Sequence, residues 1–87
     1  MRTVDIEGKL LELIELCRGL GVPPIELDDM SALTKAGEPG IALENLCTQL
    51  FEYEAAVPLV VVDGLKTLGH AMGINDKYWR RLEAAPS

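Results

Sequence analysis

The chain has 87 residues, with 14 acidic and 8 basic side chains and a formal net charge of −6. This charge argues against a nucleic-acid binder, because phosphate contacts require clustered lysine and arginine. It argues equally against docking on an anionic membrane. The length predicts one domain over residues 1–87. Its core is expected to be aliphatic, since 48% of the residues are hydrophobic and only 5% are aromatic.

The two cysteines, Cys17 and Cys47, are predicted to be buried free thiols, because each falls on the apolar face of a predicted helix. With one histidine and no CxxC pair, neither a structural zinc site nor a cofactor is expected. No apolar run approaches the roughly 20 residues that span a bilayer. The first residues lead into a charged amphipathic stretch and not into an apolar leader, so we expect a cytoplasmic protein.

The first half of the chain predicts two helices. In residues 4–20, one side carries Ile6, Leu10, Leu13, Cys17 and Leu20. Asp5 could cap this helix, and Gly21 is the expected stop. A second, weaker helix over residues 24–36 could be capped by Asp28 or Asp29, or could begin earlier, at Pro24.

The second half predicts three further helices and the clearest pattern in the chain. Residues 40–55 carry a core stripe of Leu43, Leu46, Cys47 and Leu50. Residues 58–72 favour a helix over a buried strand, because the β-branched run at 59–62 has no second strand to pair with. Asn75 is expected to cap a last helix over 76–84, which turns Tyr78, Trp79 and Leu82 inward. The predicted fold is therefore all-α, a compact bundle of four to five short helices.

Negative charge is concentrated in the middle of the chain. Residues 26–54 contain seven acidic residues and one basic residue, so they account for the whole acidic excess. A charged helix face is often only a solvated face, and for any single acid that explanation has even odds. A segment without counter-charges is less ordinary, because like charges four residues apart destabilise a helix. A basic partner would supply the missing charges and would associate faster.

Catalytic arrangements are not expected, and the chain is not predicted to be an enzyme. His70 has no serine or cysteine nucleophile at a recognisable spacing. Adjacent carboxylates, as in Asp28–Asp29, diverge on a helix, and a chain this short has little room for a deep pocket. Ser31 follows Met30 and precedes Ala32, which departs from the Asp-Ser-Leu motif of acyl carrier proteins.

The stretch GEPGIALENLCTQLFEYE, residues 37–54, resembles the MafI-type family of small bacterial immunity proteins. The resemblance continues through Leu68-Gly69, residues 72–74, Tyr78-Trp79 and Leu82, and so covers about the second half of the chain. It implies an antidote that binds and blocks a cognate toxin domain. The acidic composition is compatible with a basic, nuclease-like toxin domain as that partner.

Under this interpretation, we expect the toxin to contact a set of mostly acidic side chains: Asp28, Asp29, Glu44, Asn45, Glu52, Tyr53 and Glu54. Tyr53 could equally belong to the core. The alternative is an acidic adaptor or regulatory module that binds a basic protein or peptide. Leu11, with Leu59 or Val60, is predicted to point away from the core, and these residues could form the face of a homodimer.

Overall fold

The computed structural model describes residues 5–84, and within them every regular element is an α-helix. The prediction of an all-α bundle is confirmed. The five helices are α1 (Ile6–Leu16), α2 (Pro24–Lys35), α3 (Pro39–Glu52), α4 (Leu59–Ala71) and α5 (Lys77–Ala84). The alternative of a strand over 59–62 is wrong, because Pro58 starts a helix there by accepting the amides of Val61 and Val62.

The helix starts follow local chemistry, with two corrections. Asp5 Oδ1 accepts the amide of Gly8 at 2.9 Å, so the predicted cap of α1 is confirmed. Asn75 Oδ1 accepts the amide of Lys77 at 2.9 Å, but α5 starts at Lys77 and not at residue 76, so Asn75 lies one position before the N-cap. Capping of α2 by Asp28 or Asp29 is wrong. The helix begins at Pro24, whose missing N–H and fixed φ suit a first helical position.

Two helices end three or four residues earlier than predicted. α1 stops at Leu16 and not at residue 20, because the chain turns through Gly19 at a φ of +89°. Residue 4, the predicted start of α1, lies outside the described residues. α3 stops at Glu52 and not at residue 55, with consequences described below.

The core is built from all five helices, and α3 contributes most to it. Leu43, Leu46, Cys47 and Leu50 are buried as predicted, together with Cys17 of the segment after α1. Both cysteines are free thiols. α5 contributes Trp79 and Leu82, while Tyr78 is half-buried. Leu11, predicted to point outward, is half-buried, and Ile14 is a core residue that the sequence pattern did not indicate.

α3 contacts all four of the other helices. Residues 36–38 join it to α2 as a helical hairpin, and α5 packs along another flank. α4 packs on α1, α3 and α5. Two glycines of α4 permit this approach. A Cβ on Gly64 would lie 2.7 Å from Leu13 Cδ2, and a Cβ on Gly69 would collide with the Trp79 ring.

Candidate partner-binding surface

α3 turns one stripe of side chains away from the core, along the whole helix. Ile41 is 47% exposed, Asn45 and Glu52 are exposed, and Glu44 and Thr48 are half-buried. These positions lie opposite the buried leucines, as the helical period requires. Glu44 and Glu52 are about 12 Å apart along the helix axis, at 1.5 Å per residue. The stripe is therefore a narrow surface with carboxylates near both ends.

The C-terminal end of α3 brings three of the predicted site residues together. Glu52 is the last helical residue, and Tyr53 and Glu54 follow it, all of them exposed. Tyr53 is 45% exposed, so it is available to a partner. No basic residue lies in the last turn of α3. The helix dipole, which adds partial negative charge at this end, is therefore reinforced by the two carboxylates.

Glu54 has an unusual backbone conformation. It is the one non-glycine residue between 5 and 84 with a positive φ, at +52°. The Ala55 amide donates to the Leu50 carbonyl at 3.0 Å across it, which is the bond that closes a Schellman motif. α2 and α4 end with the same bond, but there the left-handed residues are Gly37 and Gly73. α3 thus ends on glutamate where its neighbours end on glycine.

The two aspartates of α2 have different surroundings. Asp28 Oδ1 accepts from Arg18 Nη2 at 2.8 Å, and Arg18 Nε donates to Glu15 at 3.0 Å. The hydrogen bonds that Arg18 donates to Glu15 and to Asp28 raise the pKa of its guanidinium, with the Glu15 bond the larger cause. Asp28 therefore faces the end of α1. Asp29 lies about 100° further around α2, is exposed, and has no ion pair within residues 5–84.

Most of the acidic charge in residues 26–54 has no counter-charge within the described part of the chain. Of the seven acids there, Asp28 alone has an ion pair with a described residue. The other six are Glu26, Asp29, Glu38, Glu44, Glu52 and Glu54. The sequence pattern predicted this accumulation, but it could not show that Asp28 is neutralised by a residue ten positions earlier.

The sequence pattern did not indicate that a basic side chain lies on the flank of α3. The guanidinium carbon of Arg81, on α5, lies 4.6 Å from the ring centre of Phe51. Burial is the main cause that raises the pKa of Cys47, while the charge of Arg81 lowers it and that of Glu44 raises it. The α5 side of α3 thus has a cation, while the outward stripe does not. An arginine 30 residues from its aromatic partner gives no local sequence signal.

The groups with familiar chemistry are engaged in packing. Burial raises the pKa of Cys17 to about 11 and is the main cause that raises the pKa of Cys47 to about 12. The His70 ring packs edge-on against Trp79, with centroids 5.3 Å apart. Between residues 5 and 84, no three His, Cys, Asp or Glu side chains are placed to hold a metal ion. Over the same residues, no helix combines the length and apolar character needed to cross a membrane.

Comparisons with protein-family models, with curated proteins and with solved structures found no match. The resemblance to the MafI-type family stays a prediction. In the structure, the residues that carry it mostly build the fold. Gly37 and Gly73 have positive φ, Gly69 accommodates Trp79, and Leu82 is buried.

Proposed function

We propose that the chain is an inhibitory binding protein of the immunity type, which neutralises a cationic toxin domain through the outward stripe and the C-terminal end of α3. The observation that carries the proposal is the unneutralised charge of Glu52 and Glu54 at the end of α3, combined with the left-handed glutamate. Because of these features, the free chain is less stable than variants in which Glu52 or Glu54 is replaced would be.

Three separate effects oppose the folded state at this end of α3. Two carboxylates lie at the negative end of the helix dipole, where cations are favourable. Glu52 and Glu54 carry like charges two residues apart, so they also repel each other. A residue with a Cβ adopts the left-handed conformation, in which glycine is unstrained. Stability of this kind is commonly lost where function requires a particular side chain. A lysine or arginine from a partner would relieve the first two effects.

The form of the surface suits a toxin domain with a basic cleft. The carboxylates of Glu44 and Glu52 lie along α3 and that of Glu54 follows just past its end, so they form a row of negative charges, as phosphates do along a nucleic-acid strand. A cleft that binds phosphates would attract such a row. Charge of this kind raises association rates by about 10- to 1000-fold, which matters for an antidote that must reach its toxin quickly. Tyr53 offers an exposed aromatic ring beside these charges, a side chain common at interface centres.

Affinity capture with charge-matched variants tests the proposal. The immobilised wild-type chain, Glu52→Lys and Glu7→Lys are each incubated with a lysate of the organism from which the chain comes. Both substitutions change the net charge equally, but Glu7 lies on α1. One cationic protein, retained by the wild type and by Glu7→Lys and lost with Glu52→Lys, is the expected result. Equal retention on Glu52→Lys would refute the assignment of the surface.

The alternative of an adaptor for basic peptides uses the same surface and predicts a different set of partners. An immunity protein has one dominant target, which it releases only at high salt or in denaturant, because every contact serves one interface. Several cationic peptides of similar, weak affinity would favour the adaptor. Co-expression separates the two further, since only a toxin domain arrests growth when it is produced without this chain.

A further inference from the structure

An apolar groove runs between α1 and α4, on helices that do not include the acidic stripe. Its volume is about 390 Å³. The buried Leu13 and Leu68 form its floor with the half-buried Gly64, and Leu16 forms part of its wall. Gly64 has no side chain, which lets Leu13 of α1 approach α4 closely at this floor.

The apolar surface continues beyond the groove. Leu16 is 55% exposed although it lines the groove. Val60 lies one helical turn before Gly64 on the same face of α4 and is 67% exposed. A concave apolar surface and a projecting apolar side chain therefore lie next to each other. Two copies related by a twofold axis could each insert the projection into the groove of the other.

The charges at the rim of the groove favour a second copy over other occupants. Lys9, Glu12 and Asp63 are exposed at the rim, and within residues 5–84 none of them has an ion pair. A twofold axis would bring Lys9 of each copy to Asp63 of the other. With one base and two acids, the rim is also much closer to neutral than a chain of net charge −6. This face therefore adds little to the repulsion between two copies.

We propose that the chain associates with a second copy of itself through the α1–α4 groove, with Leu16 and Val60 at the centre and Lys9 paired with Asp63 across the twofold axis. The dimer leaves α3 free for its partner, so the two interactions are independent. The face is small compared with the roughly 800 Å² per partner of a standard interface, so the association is weak.

Sedimentation equilibrium of the full chain tests this, at concentrations up to about 1 mM and an ionic strength of about 0.15 M, which screens the net repulsion. The wild type is expected to pass from the 9.5 kDa monomer to a species of twice that mass. Leu16→Asn should raise the dissociation constant at least about tenfold, because two leucines leave the apolar contact. The matched control is Ile25→Asn, an exposed apolar residue of α2. It should change nothing.

The charge pair provides a second test that does not depend on packing. Lys9→Glu alone should weaken the dimer, and the double variant Lys9→Glu/Asp63→Lys should restore it, because the pair is reversed and not removed. A wild-type chain that stays monomeric at about 1 mM would overturn the proposal. Dimerisation of Leu16→Asn at wild-type strength, or a double variant no better than Lys9→Glu, would overturn it too. Capture of a partner by α3 is unaffected by all these outcomes.

Discussion

Replacing Glu54 by glycine should make the protein more stable, although glycine usually destabilises. Glu54 has a φ of +52°, and the left-handed region costs a residue with a Cβ about 1–2 kcal/mol. Glycine adopts it freely but loses about 0.5–1 kcal/mol through the greater freedom of the unfolded chain. Removing a negative charge from the C-terminal end of α3 adds about 0.3 kcal/mol. We expect a net gain of about 1 kcal/mol.

The assay is thermal and urea denaturation followed by circular dichroism. For a domain of this size, a gain of 1 kcal/mol raises Tm by about 4–8 °C. Glu54→Gln removes the charge but keeps a side chain at the left-handed position, so its free energy of unfolding should rise by only about 0.3 kcal/mol. Gly73→Ala is the mirror control. Gly73 has a φ of +70° with nothing within 4 Å of the added Cβ, so this variant should lose about 1 kcal/mol through backbone conformation alone.

The comparison among these variants decides the reasoning. If Glu54→Gly is no more stable than Glu54→Gln, while Gly73→Ala is destabilised as expected, the left-handed glutamate is not strained. The backbone conformation of Glu54 would then not lower the stability of the C-terminal end of α3. The contribution of its charge would still be given by the stability of Glu54→Gln.

Three further predictions concern packing, charge and titration. Gly69→Ala should cost about 1–3 kcal/mol in urea denaturation, because its methyl group would meet the buried ring of Trp79; Gly64→Ala should cost less, since its methyl meets the flexible end of Leu13, and an equal loss would contradict this. Glu52→Lys should raise the free energy of unfolding by about 0.3–1 kcal/mol by placing a cation at the end of α3, and a lower Tm would contradict it. Burial raises the pKa of Cys17 to about 11, above the 9.0 of a free thiol, so its neutral form stabilises the fold fully below pH 9 and this contribution falls as the pH rises towards 11. Between pH 9 and 11, the free energy of unfolding should therefore fall more steeply with pH for the wild type than for Cys17→Ala. An equal dependence on pH in the two proteins would contradict this.

The interior of the bundle was largely predictable from the sequence, for a physical reason. The leucines of α3 recur at the helical period, and burial of an apolar stripe follows directly from that spacing. The cap of α1 was equally readable, because Asp5 binds an amide three residues away.

The surface was less predictable, because it depends on residues far apart in sequence. Asp28 looked like one more free carboxylate, yet Arg18 neutralises it across the α1–α2 contact. Arg81 reaches Phe51 from another helix. The end of α3 was misplaced by three residues, because sequence rules look for glycine at the left-handed position and Glu54 occupies it. This departure from a local rule, at Glu54, coincides with the candidate site.

The most direct test of the central claim is a growth measurement with the captured partner. Its cationic domain is expressed in a host that has neither protein of its own. It is produced either alone or together with the wild-type chain, with Glu52→Lys or with Glu7→Lys. We predict growth arrest by the domain alone, full rescue by the wild type and by Glu7→Lys, and failed or strongly reduced rescue by Glu52→Lys, although that variant is at least as stable. Unimpaired growth with the domain alone would contradict the antidote function. Full rescue by Glu52→Lys would contradict the assignment of that function to the end of α3.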